Sequence, residues 1–280
     1  MRDGWPLAAG AACSRLPGTP AHECPPFMET DLILLAYGMA CVFGAAIVRG
    51  YSGFGFSLLS ITSLSLFLEP RDVVPAIFMM EIAASLHLLP GIWREVHWRS
   101  IALLLTGCAI ATPIGVWILA SMPAAPMKIG LAIFAGTATA LLWRGFALRT
   151  IPGTAATLAT GAASGFFNGA IGIGGPPVIL FYFGSPAAVN VGRASVIAYF
   201  LGTDMMGLAY MAPHDLIDRS TLIRFAAYLP ALLIGVWLGA RGFRGADPAR
   251  FRRWVLIIMF VMSALTGIKG AYELLWPVAG

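Results

Sequence analysis

The sequence predicts an all-α polytopic membrane protein made of two inverted repeats, each a glycine-broken helix and short-helix hairpin followed by three transmembrane helices. Three observations carry this. Apolar residues make up 59% of the 280 residues and charged residues 11%, against about half and a quarter in water-soluble domains. A chain so poor in charge cannot cover a water-facing surface, and its mean hydropathy of +0.82 makes lipid its main solvent. The apolar residues also fall in continuous runs, without the alternation of a membrane-barrel strand. Finally, two motifs recur in the same order at nearly one spacing.

The elements follow in chain order. Residues 1–30, with Pro6, Pro17, Pro20, Pro25 and Pro26, read as a disordered tail, or as a stretch before a natural start at Met28. The apolar stretch before Cys13 is too short for a secretory or lipoprotein signal. A helix needs about 20 apolar residues to cross a bilayer. Long runs stand at 31–48, 73–93, 99–120, 127–143, 154–171, 190–211, 221–240 and 254–275, with shorter runs at 55–68 and 176–184. Residues 31–150 then form the first repeat and 151–280 the second, integrated into one membrane domain.

Gly50, Gly53 and Gly55 form a GxxGxG pattern that returns as Gly169, Gly172 and Gly174, 119 residues on. Ile114-Gly-Val-Trp117 returns as Ile234-Gly-Val-Trp237, 120 residues on. Internal symmetry of this kind is a transporter signature. Whether each short helix crosses or re-enters, the crossings per half are odd, so the second half is inverted. One face then collects Arg94, Arg99, Arg144, Arg149, Arg193 and the cluster from Arg241 to Arg253. The other holds Arg71, Lys128, Arg219, Arg224 and Lys269, with Arg2 and Arg15 in the tail. The excess of Lys and Arg on cytoplasmic loops puts the first face inside and both termini in the periplasm.

The glycine breaks are the candidate site. Each precedes a short apolar helix, and Pro176-Pro177 open the second, where a missing N–H is tolerated. A helix N-terminus carries unpaired N–H groups and about half a positive charge. Two such ends converging make an anion pocket lined by backbone N–H. The candidate substrate contacts are Arg49, Ser52, Gly53, Gly55, Asn168, Gly172, Gly174, Gly175 and Arg193. Arg49 precedes the first break and Asn168 stands at its place before the second. A buried Arg is costly in lipid and is functional or paired unless it snorkels to the surface. Glu81 and Asp204 are acids inside spans and are candidates for ion or proton coupling, with His87 as a further proton candidate on its titration range.

Other features are structural. Gly161, Gly165 and Gly169, and Gly235 with Gly239, have the spacing of helix–helix contacts. The cysteines show no metal or disulfide spacing. The scattered Arg residues form no nucleic-acid footprint. No nucleotide-binding loop is present.

The duplicated breaks, Gly50–Gly55 and Gly169–Gly175, together with Gly172-Ile-Gly-Gly175-Pro-Pro-Val-Ile-Leu180 and Val191-Gly-Arg-Ala-Ser195, resemble the TauE/SafE family of sulfite and organosulfonate exporters, over about residues 31–275. The first break departs from the family pattern, with Phe56 where a third glycine is common. The resemblance implies export of a small sulfur-containing anion across a bacterial inner membrane, by a non-enzymatic secondary transporter that needs no cofactor. The expected partners are a small anionic substrate such as sulfite or a sulfonate, the lipid bilayer and a second copy of the chain in a homodimer. Two other readings remain open at the level of sequence. Gly50-Tyr-Ser52-Gly53 matches the GxSG motif of rhomboid-type intramembrane proteases, with His87 as the base that chemistry needs. The repeat argues against it, because Ile171 stands at the position of Ser52 while the glycines persist. The other is a membrane scaffold that transports nothing.

Overall fold

The computed structural model describes residues 27–144, 152–184, 189–242 and 248–275. Among them are ten α-helices and no strand: α1 Phe27–Ser52, α2 Phe56–Leu64, α3 Pro70–Leu88, α4 Trp98–Ser121, α5 Ala124–Trp143, α6 Thr154–Ile171, α7 Gly175–Gly184, α8 Val189–Met211, α9 Arg219–Gly242 and α10 Pro248–Leu275. α1 starts at Phe27, a turn ahead of the apolar run, and the rest of the expected tail lies outside the described residues. The expected cytoplasmic residues Arg149 and Arg244 lie outside them as well.

Among the described residues, six helices are long and apolar enough to cross a membrane, over Ile33–Ser52, Pro70–Gly91, Trp98–Ser121, Ala124–Leu141, Asn190–His214 and Arg219–Gly242. The runs at 154–171 and 254–275 are helical too, in α6 and α10, but do not join those six. Large apolar side chains such as Ile110, Ile133 and Ile268 stay mostly exposed, which a lipid-facing surface permits and water would penalise.

The two short helices start where the sequence breaks. Gly53 (φ +82°) and Gly172 (φ +73°) are both left-handed, a conformation that costs a residue with a Cβ about 1–2 kcal/mol. Each closes its long helix with the same bond, Gly53 N–H to the Arg49 carbonyl at 2.8 Å and Gly172 N–H to the Asn168 carbonyl at 2.9 Å. The chain then turns directly into α2 or α7.

Packing joins the two halves rather than separating them. α4 lies along α6, and α1 along α9; α5 packs on α10, and α3 on α8; α4 also meets α8, as α3 meets α9. Interchanging α1–α5 with α6–α10 turns this set of pairings into itself. The closest crossings use the glycines that the spacing assigned to helix contacts. A Cβ at Gly165 would lie 2.6 Å from the Cys108 carbonyl oxygen, and one at Gly169 2.6 Å from that of Thr112. Across α1 and α9, Gly235 faces the Phe43 carbonyl and Gly239 that of Ile47. With no hydrophobic drive between helices in lipid, such close packing is what holds them together, and it leaves both breaks in the interior.

Candidate functional site

Arg49, in the last turn of α1, is wholly buried. Snorkelling is therefore not its solution to lipid; pairing is. Its Nη2 lies 2.9 Å from Glu81 Oε2 and donates to Ser85 Oγ at 2.7 Å, while Nη1 donates to the Gly53 carbonyl at 3.0 Å. The guanidinium carbon stands 4.9 Å from the centre of the Phe200 ring, within cation–π range. One side chain thus ties α1, the first break, α3 and α8.

Glu81 spends its second oxygen on the short helix. Oε1 accepts from Ser57 N–H at 3.2 Å and from Ser57 Oγ at 2.7 Å, in the first turn of α2. The helix dipole favours a negative charge there. An anion does sit at the α2 N-terminus, and in the described arrangement it is a carboxylate of the protein itself.

The second break repeats the scaffold with different chemistry. Asn168 Nδ2 donates to Asp204 Oδ1 at 3.2 Å, and its Oδ1 accepts from Gly174 N–H at 3.1 Å at the start of α7. Ser164 Oγ donates to the Gly174 carbonyl. The 119-residue spacing relates these bonds: Arg49–Ser85 corresponds to Asn168–Asp204. Glu81 therefore corresponds to Phe200, and Asp204 to Ser85, rather than Glu81 to Asp204. Pro176 stands at the place of Ser57 and has no N–H, as Pro177 has none, so α7 offers fewer donors than α2.

Arg193, near the start of α8, reaches the first break from the other half. Its Nη2 donates to the Gly50 carbonyl at 3.0 Å, and it interacts electrostatically with Arg49 and Glu95. A Cβ on Gly53 would come within 2.9 Å of Arg193 Cγ, as one on Gly172 would of Val74 Cγ2; Val74 is the 119-residue counterpart of Arg193. Around the first break the structure thus gathers Arg49, Glu81 and Arg193, and around the second their neutral counterparts Asn168 and Val74, with Asp204 beyond. Gly55 (φ +91°) caps α2, and Gly175, the first residue of α7, lies against Phe200, which is 3.2 Å from where its Cβ would be.

Ser52 closes its own turn. Its Oγ donates to the Val48 and Phe54 carbonyls, both at 2.8 Å, and accepts from Phe54 N–H at 3.3 Å. His87 is exposed at the end of α3, and among the described residues no histidine is hydrogen-bonded to Ser52. His87 also stands apart from the Arg49–Glu81 network. Ser57, Ser85 and Phe200 escaped the sequence reading. Applying the 119-residue spacing to Asp204 and Glu81 would have found the last two. No group of three or more His, Cys, Asp or Glu suited to a metal ion occurs among the described residues.

Comparison with known proteins agrees with this architecture. The family model described as Sulfite exporter TauE/SafE matches residues 38–266. The chain is 26% identical over 248 residues to a protein of Cupriavidus necator named as a probable sulfite/organosulfonate exporter TauE, covering 85% of this chain and 95% of that one. It is 26% identical over 197 residues to a probable inner membrane transporter protein, TsaS, of Comamonas testosteroni, covering 68% and 80%. No solved structure gives a significant match. The span of the family match, from inside α1 to inside α10, takes in both glycine breaks and every residue of the buried network, and on it the chain belongs to the sulfite exporter TauE/SafE family.

Proposed function

We propose that this chain is a secondary transporter that exports a small sulfur-containing oxoanion, sulfite or an organosulfonate, across a bacterial inner membrane, with the substrate held at the first glycine break. The observation that carries the reading is the carboxylate of Glu81 seated on Arg49 and on the first turn of α2. Donors that hold one buried oxyanion suit another, and a sulfite or sulfonate group presents the same oxygen acceptors in a compact shape. Arg193 adds a second positive charge beside Gly50 and Gly53. Gly172, Gly174, Gly175 and Asn168 shape the opposite wall. The names of the two relatives support the substrate class and the membrane.

Two inverted repeats account for the principal helix pairings, α4 on α6 with α1 on α9, α5 on α10, and α3 on α8, which survive interchange of the halves, and for the odd number of helices in each half. Alternating access then consists of one half rocking against the other about the breaks. The protease reading loses its support, because the Ser52 hydroxyl is held by its own turn and His87 lies exposed.

Sulfite efflux from cells carrying single variants tests this. Gly53→Val and Gly172→Val each place a β-branched side chain in a left-handed turn and crowd Arg193 or Val74, and each abolishes efflux. Ser52→Ala loses at most the net value of a hydrogen bond, about 1 kcal/mol, and keeps most of it. Wild-type efflux from both glycine variants would sink the proposal. Loss in Ser52→Ala alone would restore the protease.

A further inference from the structure

The seat that an incoming anion needs is already taken. Glu81 Oε1 holds the Ser57 N–H and O–H, and Oε2 lies 2.9 Å from Arg49 Nη2. Glu81 is 1% exposed, so its carboxylate has no water to retreat into. A second buried carboxyl stands nearby. Asp204 is 2% exposed, lies within electrostatic reach of Glu81 and Arg49, and its Oδ2 makes no hydrogen bond.

The groups facing this pair of carboxyls are few. Arg49 comes from α1, Cys108 from α4, and Tyr199 from α8. Arg193, also of α8, faces Arg49 and Glu95 and donates to the Gly50 carbonyl. Arg49 is a cation that both carboxyls face. When an external anion takes that cation, and Arg193 beside it, no uncommitted positive charge is left for a released Glu81. An unpaired ion so deeply buried costs several kcal/mol, and neutralisation is the cheaper outcome.

We infer that Glu81 is a built-in competitor for the transported anion and the proton carrier of the cycle. The inference rests on the transport reading above and deepens it. As the anion arrives, the Arg49–Glu81 pair and the two Ser57 bonds break, and Arg49 and Ser57 turn to the anion. An oxygen of the freed carboxylate forms an O–H bond with a proton drawn from the aqueous phase on the side the anion entered from. At the other face the anion leaves, Glu81 gives up its proton there, and the pair with Arg49 reforms. One proton crosses with each anion in the same direction. Asp204 adds a second carboxyl beside the Arg49 guanidinium, and so competes with a freed Glu81 for its positive charge.

The test uses the full-length protein in liposomes, with membrane voltage clamped at zero by potassium and valinomycin. The probes are labelled sulfite and labelled methanesulfonate, which keeps its single charge around neutral pH; sulfite is corrected for its own titration. The quantity read is the anion concentration ratio at which net flux reverses, followed as the pH difference is changed. Coupling to one proton moves that ratio about tenfold per pH unit. The wild type shows this shift, Glu81→Gln loses it, and Glu81→Asp, which keeps a carboxyl, recovers it. His87→Gln retains it. A wild-type reversal ratio indifferent to pH overturns proton coupling and leaves transport standing, as does a full shift in Glu81→Gln. Failure of the wild type to move either anion overturns the transport reading, and this inference with it.

Discussion

Removing the Arg49 side chain separates what that residue does for the fold from what it does for an anion. Arg49→Ala leaves Glu81 without its counter-charge in a site where it is 1% exposed. Breaking a buried pair by deleting one partner costs about 3–5 kcal/mol, whereas replacing both partners by neutral groups of similar size is often close to neutral. Arg49→Ala also forfeits the bonds to Ser85 and the Gly53 carbonyl and the contact with Phe200. The single variant therefore unfolds at a temperature lower by roughly ten degrees, using about 2–4 °C per kcal/mol for a chain of this size.

The double variant Arg49→Met with Glu81→Gln removes both charges while filling the space. It recovers most of the lost stability, yet it binds no sulfite, because Arg193 alone does not hold the anion once the Arg49 fork is gone. Thermal unfolding of detergent-purified protein, followed by tryptophan fluorescence with and without sulfite, reads both effects. A single Arg49→Ala variant as stable as the wild type would refute the buried-pair argument. Sulfite stabilisation of the double variant would refute the assignment of Arg49 to the substrate.

Three further outcomes follow. Asp204→Asn keeps an acceptor for Asn168 and removes only the oxygen that makes no hydrogen bond, so it lowers stability less than Asp204→Ala, which strands the Asn168 amide at a cost of about 1–3 kcal/mol; chemical denaturation in detergent ranks the two. Burial pushes the Asp218 carboxyl up, but hydrogen bonds from Thr221 N–H and O–H and from Ser220 O–H at the start of α9 outweigh it and hold the carboxyl below its ordinary value. Its contribution, about 1 kcal/mol as a helix cap, is present above the unfolded value of about 3.9 and fades as pH falls through the lower folded one, so the gap between wild type and Asp218→Ala narrows in strong acid when both are melted across pH. A topology reporter fused after Gly280 behaves as periplasmic, in line with the excess of Arg residues on the opposite face; cytoplasmic activity would reverse the orientation.

The architecture was legible because it rests on chain-local physics. Continuous apolar runs dictate helices, left-handed glycines dictate breaks, and both leave their mark at fixed positions: α2 and α7 begin where the GxxGxG patterns end. The GxxxG pairs were legible for the same reason, since only a missing Cβ lets α4 meet α6 and α1 meet α9 so closely. What the sequence hid was pairing across the fold. Arg49 reads from sequence as a candidate substrate contact, with no partner named for it. Nothing local announces that Glu81, 32 residues on, turns back to it while also holding the first turn of α2.

The same distinction explains how two equivalent breaks come to do different work. The backbone at the two positions is nearly superimposable in its bonds: both long helices end on a left-handed glycine bonded to the residue four before it. The side chains laid on that common frame diverge pair by pair: Arg49 against Asn168, Ser57 against Pro176, Glu81 against Phe200, Arg193 against Val74. Each of these four changes from the first break to the second removes a charge or a donor, and Phe200 goes further by covering the face of Arg49 itself. Glycines alone would argue for two equal anion cradles facing each other. The residues around them argue for one charged seat and one neutral wall, with Asp204 placed by the neutral half within reach of the charged one. Under the proposed function, the repeated frame supplies the two-way rocking of alternating access, and the asymmetric lining supplies the single place for the anion.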